Sequence, residues 1–330
     1  MNPADRSSWY DRMQTSVCLF GHPVYQSLYQ TLGHAPAIGP VKAVDPGSLR
    51  VLYIGKTFNV QDLNAPFSAN TLCVMNSPIM CLGAWRALLH RAPAIFVEEY
   101  FERSGLRDSL VASLLLAFRS YPFVSFTKRT HSFLLRRKLN SFLVPPAETK
   151  RTGSKTREGL LYVGRMEKYK RPDLVLGLAK KLPHERFTLV GRGPLLPLIR
   201  RKARRLANVE IIEFVETRDE LFRDYYGKVK ALIHPADRDP IGFVIVEALS
   251  TSTPVISSIG AGGSDYLPKS WRMATHDLSD WTRTIERMSD HDSKVAEDTF
   301  ERENLNIESP YFQRTAERLS SSLRQRGWIP

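Results

Sequence analysis

Along the second half of the chain, short apolar blocks alternate with segments whose apolar residues recur at helical spacing. Residues 159–163 (GLLYV) form one such block, and a polar loop follows it. Pro172 then opens a segment in which Leu174, Val175, Leu178, Ala179 and Leu182 share one helical face. The next block, 186–190 (RFTLV), leads through Gly191-Arg192-Gly193-Pro194 into a basic helix predicted to reach about residue 207. Blocks at 209–214, 229–234 and 254–257 complete the series, with helices expected over 218–226 and from Gly242 to about residue 250. Short apolar strands alternating with helices predict a doubly wound parallel sheet. In such sheets ligands bind beyond the carboxyl ends of the strands, where the polar loops fall.

The first half alternates as well. Strands are expected at 16–20, 50–54, 71–75, 94–98 and 123–126, with helices at 25–32, 79–90, 106–120 and 128–139. This pattern predicts a second α/β domain. Residues 145–158, with two prolines, Gly153 and many polar side chains, read as a linker. An amphipathic helix at 310–326 closes the chain. The expected organisation is therefore an N-terminal domain (1–150), a C-terminal domain (151–309) and a final segment (310–330) crossing back to the first domain.

Composition narrows the class. The longest strongly apolar run, 110–118, is shorter than a membrane span, and the first twenty residues carry Asp5, Arg6, Asp11 and Arg12, unlike a signal peptide. Cys18, Cys73 and Cys81 have neither metal nor redox spacing, so a reduced, cytoplasmic protein is expected. The net charge of +13 is spread over both halves: 16 Lys/Arg against 9 Asp/Glu in 1–150, and 31 against 25 in 151–330. Such a field suits an anionic partner: a nucleotide, an anionic membrane face or nucleic acid. Arg200, Arg201, Lys202, Arg204 and Arg205 crowd one helix, which reads first as a solvated face and second as a contact for lipid phosphates or nucleic acid.

Three loops carry candidate chemistry. Asp239-Pro240-Ile241-Gly242-Phe243 ends one strand and opens a helix, so the N–H groups of Gly242, Phe243 and Val244 are expected to be free and form an anion site. Glu247, one turn further in, is placed to accept hydrogen bonds from a ribose diol. Asp239 can bind sugar hydroxyls; the plainer readings are an exposed loop acid for Asp239 and a solvated helix face for Glu247. Arg165 and Lys170, in the loop that begins at Gly164, can neutralise a diphosphate and stabilise it as a leaving group. Gly191-Arg192-Gly193 resembles half a dinucleotide fingerprint, or simply permits a tight turn.

These segments together resemble glycosyltransferase family 4, retaining enzymes of GT-B architecture. VGRMEKYKRPD resembles the family's strand and G-R-L-x-x-x-K motif, with Arg165 and Lys170 in place, and LVGRGP (189–194) resembles L-V-G-x-G-P. DPIGFVIVEALSTSTPVISS resembles the E-x-F-G-[LIV] motif with its second acid, and Gly262-Gly263 follows. The resemblance covers about 160–268 and implies two Rossmann-like domains with parallel sheets facing a central cleft. It implies that Arg165 and Lys170 bind a diphosphate, Glu247 a ribose and Asp239 the donor sugar, with the backbone of Val215 near the base. It further implies transfer of a hexosyl group with retention from a UDP-, GDP- or ADP-sugar to a glycan, lipid-linked or other acceptor, with no metal or cofactor required.

Three features depart from the pattern. Asp239 stands where the family has Glu. Glu98 and Glu99 follow a strand after which many relatives have a histidine, and the first glycine-rich loop is reduced to Phe20-Gly21-His22-Pro23. His22, Glu98 and Glu99 are candidate cleft residues. Asp237-Arg238-Asp239 looks like a D-x-D metal motif, but its surroundings match the metal-free architecture. A DNA-modifying glycosyltransferase and a non-catalytic nucleotide-sugar-binding protein stay open as alternatives, nucleic acid being the less favoured partner.

Overall fold

The computed structural model describes residues 50–54, 71–76, 94–98 and 113–327 except 307, together with positions 85, 88, 89 and 91. The chain divides into two compact units, Met1–Pro145 with Ile307–Pro330, and Pro146–Asn306.

In the first unit five parallel strands run in chain order: β1 (Arg50–Ile54), β2 (Thr71–Asn76), β3 (Ala94–Glu98), β4 (Pro122–Ser125) and β5 (Asn140–Leu143). Phe96 on β3 stacks edge-on against Phe118 (5.0 Å) and Tyr121 (5.4 Å), the geometry that sets the positive edge of one ring on the negative face of another. Helix α1 (Lys128–Arg136) begins at Thr127, whose side chain accepts from the Thr130 N–H. The expected strand at 16–20 and helix at 25–32 lie outside the described residues. β5 went unpredicted; its Ser141 hydroxyl is tied to Ser125 (3.2 Å) and His131 Nδ1 (2.9 Å), so a polar residue stands where a strand signal would be apolar.

The second unit is a six-stranded parallel sheet in the order β11-β10-β9-β6-β7-β8. Its strands are β6 (Leu160–Val163), β7 (Phe187–Val190), β8 (Val209–Ile212), β9 (Ala231–His234), β10 (Val255–Ser258) and β11 (Arg272–Met273). Successive residues of β6 feed opposite cores: Leu161 and Val163 join one cluster with Ile245 and Leu249, Leu160 and Tyr162 another with Leu174 and Ile256. A strand buried on both faces is continuously apolar, which is why these blocks were readable.

Helices α2 (Pro172–Lys181), α3 (Leu196–Ala203) and α4 (Phe243–Ser250) cover the sheet. α5 (Leu278–Glu286) and α6 (His291–Arg302) occupy the stretch that read only as polar. The helix expected over 218–226 is a composite: an α-turn (Arg218–Glu220), a π-segment (Leu221–Tyr225) and a 3₁₀ turn (Tyr226–Lys228). The last helix, α7 (Pro310–Gln325), starts at Ser309, which accepts from the Tyr311 N–H, and buries Thr315, Leu319 and Leu323 at four-residue intervals within the first unit. Arg326, just beyond it, donates to the Ser120 carbonyl of the same unit.

Strand order reverses beside β6. The chain moves outward to β7 and β8, then returns to β9 on the other side of β6. The β6/β9 boundary is the topological switch point, the place at which sheets of this kind bind ligands, and here the loops after the two strands meet, the Asp237 N–H donating to the Tyr169 carbonyl (2.7 Å).

Candidate active site

The loop after β6 is zipped to the loop after β7. Gly164 N–H donates to Val190 O (3.0 Å) and Met166 N–H to Arg192 O (2.7 Å). Gly191 sits at φ +145°, and a Cβ there would lie 1.9 Å from the Gly164 carbonyl oxygen. The G-x-G tripeptide thus serves close approach of two backbones. The buried Tyr162 hydroxyl donates to Arg165 O (2.9 Å), fixing the loop from below. Arg165 itself pairs with Glu167 (2.8 Å).

Lys170 ends a 3₁₀ turn (Lys168–Lys170), and Arg171 in the left-handed region (φ 53°) turns the chain into α2, with Pro172 in its first turn. Across the switch point, Lys170 Nζ donates to Asp239 Oδ2 at 2.7 Å. His234, the last residue of β9 and fully buried, brings Nε2 to the same oxygen at 3.1 Å. Asp239 Oδ1 accepts from the Gly242 N–H (3.2 Å), while the Asp239 backbone pairs with Gly260 and Gly262 after β10. Burial opposes ionisation of Asp239, but Lys170 and the hydrogen bond from His234 outweigh it and hold the carboxyl far below its ordinary range. Burial also lowers the pKa of His234, with Asp239 acting in the opposite sense. With Asp239 ionised and able only to accept, Nε2 carries the hydrogen.

One expectation is corrected here: the Gly242 N–H is not free, because Asp239 occupies it. The plainer reading of Asp239 as an exposed loop acid also fails, since Lys170 and His234 hold its carboxylate. Gly242 keeps its other role: at φ +74° it starts α4.

Glu247 is likewise not on a solvated face. It is 7% exposed, and both carboxylate oxygens have partners: Tyr226 OH donates to Oε2 (2.8 Å) and Arg218 Nη2 to Oε1 (3.1 Å). Arg218 also reaches the buried Glu148. Val215 is buried in the core cluster behind this group, and Phe243 and Val244 are half-buried on the first turn of α4.

The structure therefore makes two groups of the candidate residues: Lys170, Asp239 and Gly242 with His234, and Glu247 with Arg218, Tyr226 and Glu148. Arg165 and Gly164 stand on the same loop as Lys170. Glu98 is described only as the end of β3; His22 and Glu99 lie outside the described residues. Sequence reading missed His234, whose signal was a lone titratable residue at the carboxyl end of a buried strand. Arg218, Tyr226 and Glu148 gave no signal.

Asp237 and Asp239 do not share a site. Asp237 is exposed and pairs with Arg171 (3.3 Å) and His276 (3.4 Å), whereas Asp239 pairs with Lys170. Among the described residues no group of three or more His, Cys, Asp or Glu is placed to hold a metal. Arg201, Lys202, Arg204 and Arg205 are exposed at the far end of α3, and Arg200 pairs with Glu213. No described helix is long and apolar enough to cross a membrane.

Residues 157–291 match the family model for glycosyl transferases group 1. D-inositol 3-phosphate glycosyltransferase 2 of Catenulispora acidiphila is 29% identical over 156 residues, which are 42% of this chain and 36% of that protein. D-inositol 3-phosphate glycosyltransferase of Mycobacterium sp. (strain KMS) is 31% identical over 146 residues, 38% of this chain and 31% of that protein. The matched segment thus spans about a third of the length of these curated relatives. Among solved structures, TarM superposes with a TM-score of 0.59 at 16% identity, over 78% of this chain and 55% of that one. The pneumococcal O-GlcNAc transferase GtfA, in complex with UDP and GlcNAc, gives 0.58 at 13% identity, over 80% and 58%. Anabaena Alr3699/HepE, in complex with UDP and glucose, gives 0.52 at 12% identity, over 83% and 100%. The fold is GT-B: α/β units with parallel sheets, the second containing the segment that matches the group 1 glycosyl transferase model.

Proposed function

We propose that this protein is a retaining glycosyltransferase that moves a hexosyl group from a nucleoside-diphosphate sugar to a glycan or lipid-linked acceptor. The observation that carries this reading is the Lys170–Asp239 pair at the switch point, on the loop that leads into α4, with the buried acid Glu247 one turn into that helix. A cation, a helix N-terminus and two fixed carboxylates, Asp239 on the loop before α4 and Glu247 within the helix, have the chemistry that a diphosphate joined to two sugars requires.

The division of labour follows from that chemistry. Arg165 and Lys170 neutralise the diphosphate, with the first turn of α4 (Phe243, Val244) facing the same anion. Glu247 accepts from the ribose hydroxyls, Val215 offers backbone to the base, and Asp239 accepts from a hydroxyl of the transferred sugar. The bond from the anomeric carbon to the β-phosphate oxygen breaks. The acceptor hydroxyl forms the new bond on the same face, and its proton passes to the departing phosphate oxygen. Cations close to that oxygen stabilise the charge as it develops, so the site requires no metal. Acceptor recognition falls to the first unit, with the 310–330 segment crossing back to it. A uridine diphosphate sugar is the first donor to test, because GtfA and HepE were each solved with UDP.

The test is a donor screen by thermal shift with UDP-, GDP- and ADP-sugars, since a ligand of the native state raises its Tm, followed by turnover of the donor that binds. Arg165→Ala and Glu247→Ala are each expected to lower turnover about 100-fold or more with the fold retained. Wild-type turnover in both variants overturns the assignment. Donor binding without any consumption by the wild type would instead make the chain a nucleotide-sugar-binding protein.

A further inference from the structure

We infer that Arg218 is a positioning residue for nucleotide recognition: shared between Glu247 and Glu148, it holds the Glu247 carboxylate in the one orientation that grips a ribose diol. The inference rests on the reading of Glu247 as the ribose acid.

Its basis is the geometry behind α4. Arg218 opens the composite segment after β8, where the Thr217 side chain accepts from the Glu220 N–H (3.1 Å) and fixes the first turn. From there the guanidinium lies over the Phe222 ring at 5.1 Å, and one of its nitrogens, Nη2, donates to two acids. It reaches Glu247 Oε1 at 3.1 Å and Glu148 Oε2 in a shorter contact. The π-segment Leu221–Tyr225 then delivers Tyr226 so that its hydroxyl donates to the other Glu247 oxygen at 2.8 Å. Local π-geometry places a residue where an unbroken α-helix would not, and it recurs at functional sites.

Each oxygen of Glu247 is thus engaged once by the protein and retains one acceptor direction. A carboxylate oxygen offers about two such directions, so a diol presented to Glu247 completes the set. Without Arg218, Glu247 and Glu148 would be two buried carboxylates close together, and at least one would take up a proton and rotate. Burial alone already raises the pKa of Glu148, with Arg218 opposing and Glu247 adding to the rise. Arg218 is in turn held charged against its own burial by Glu247 and Glu148.

Glu148 adds a mechanical term. It lies two residues beyond Pro146, where the chain enters the second unit, and it bridges to Asn306, where the chain leaves it. Its N–H donates to Leu305 O (2.8 Å). Arg218 therefore anchors Glu247 to the two bridged segments by which the chain enters and leaves this unit.

The test compares the affinity of the full chain for UDP (or GDP or ADP, whichever binds best) with that for its 2′-deoxy counterpart, by calorimetry. Wild type should prefer the ribonucleotide by about tenfold, equivalent to about 1.4 kcal/mol. Glu247→Ala should abolish that preference. Arg218→Met should lower it to about twofold, Arg218→Lys should restore part of it, and Glu148→Gln should fall between wild type and Arg218→Met. A residue that only supports the fold would weaken both ligands alike and leave the ratio unchanged. If Glu247→Ala keeps the wild-type ratio, or wild type shows none, the ribose reading of Glu247 fails. If Glu247→Ala abolishes the ratio while Arg218→Lys and Glu148→Gln both keep it, the inference about Arg218 fails, whether or not Arg218→Met folds.

Discussion

Lys170 and Asp239 stand 2.7 Å apart on the loops that follow the adjacent strands β6 and β9, so the ion pair spans the switch point of the second unit. In the ligand-free protein each neutralises the other. On the proposed function, a diphosphate would compete with Asp239 for Lys170, and a sugar hydroxyl would compete with Lys170 for Asp239. Asp239→Asn removes the first competition and damages the sugar contact. The variant should therefore bind the free nucleoside diphosphate about fivefold more tightly, equivalent to about 1 kcal/mol, while losing turnover about 100-fold. Calorimetry with the nucleotide and a transfer assay check the two halves. Weaker nucleotide binding in Asp239→Asn would show that the pair is preorganising Lys170 rather than competing for it.

The same cluster makes stability depend on pH in a defined direction. Burial depresses the pKa of His234 below that of the unfolded chain, so its contribution is complete above about pH 6.5 and is lost as pH falls through the folded value. The folded pKa of Asp239 is also depressed, so its contribution is present above about pH 4 and is lost below. Both losses run the same way. Urea midpoints should fall between pH 7.5 and pH 5.5 by more in wild type than in His234→Gln, which keeps a donor to Asp239 but has no charge to gain. Equal slopes in the two proteins would remove His234 as the cause.

Gly191 tests whether the loop carrying Arg165 depends on its neighbour. A methyl group at this position would stand 1.9 Å from the Gly164 carbonyl oxygen, at a φ of +145° that L-residues rarely adopt. Gly191→Ala should destabilise the protein by about 2–4 kcal/mol, or shift the 164–171 loop and weaken donor binding instead. Chemical denaturation and donor titration distinguish these outcomes. A variant with wild-type stability and affinity would mean that the two loops separate without cost.

Trp281 holds the part of the second unit that hydrophobic patterning did not find. It is fully buried on α5, and its Nε1–H donates to Thr275 O at 2.9 Å. Trp281→Ala removes a large core side chain and orphans that carbonyl, so a loss of about 3–5 kcal/mol is expected from urea denaturation. A loss below about 1 kcal/mol would show that α5 packs independently of this side chain.

The contrast between α5 and the strands shows what was legible. β6, β9 and β10 are buried at every position, so runs of apolar or small residues announced each of them, with His234 the one polar ring at the end of β9. On α5 only Leu278, Trp281 and Ile285 turn inward, and the decisive signal was a cap: Asp277, which accepts from the N–H groups of Ser279 and Asp280. The loop motifs of the candidate site were legible because each is local. Its electrostatics were not. The partners of Arg218 lie 70 and 29 residues away in sequence, and Lys170 meets Asp239 across 69 residues. Pairings of that range are set by strand order, which periodicity does not encode. The predicted helix over 218–226 shows the same limit: its start is marked by Thr217, but the change to π-geometry serves a hydrogen bond to α4.

That bond gives the last prediction. Tyr226 is fully buried, and its hydroxyl donates to Glu247 Oε2 at 2.8 Å. Tyr226→Phe keeps the ring among its core neighbours and removes one donor, leaving the Arg218 contact to the other Glu247 oxygen in place. Loss of a hydrogen bond to a charged group costs about 1.5–3 kcal/mol when nothing replaces it. Here the freed Oε2 can accept a ribose hydroxyl instead, so the stability loss should shrink when nucleotide is present. Melting curves of wild type and Tyr226→Phe, with and without saturating nucleoside diphosphate, should therefore converge on ligand addition. A gap in Tm that stays constant would mean that the ribose does not reach this oxygen.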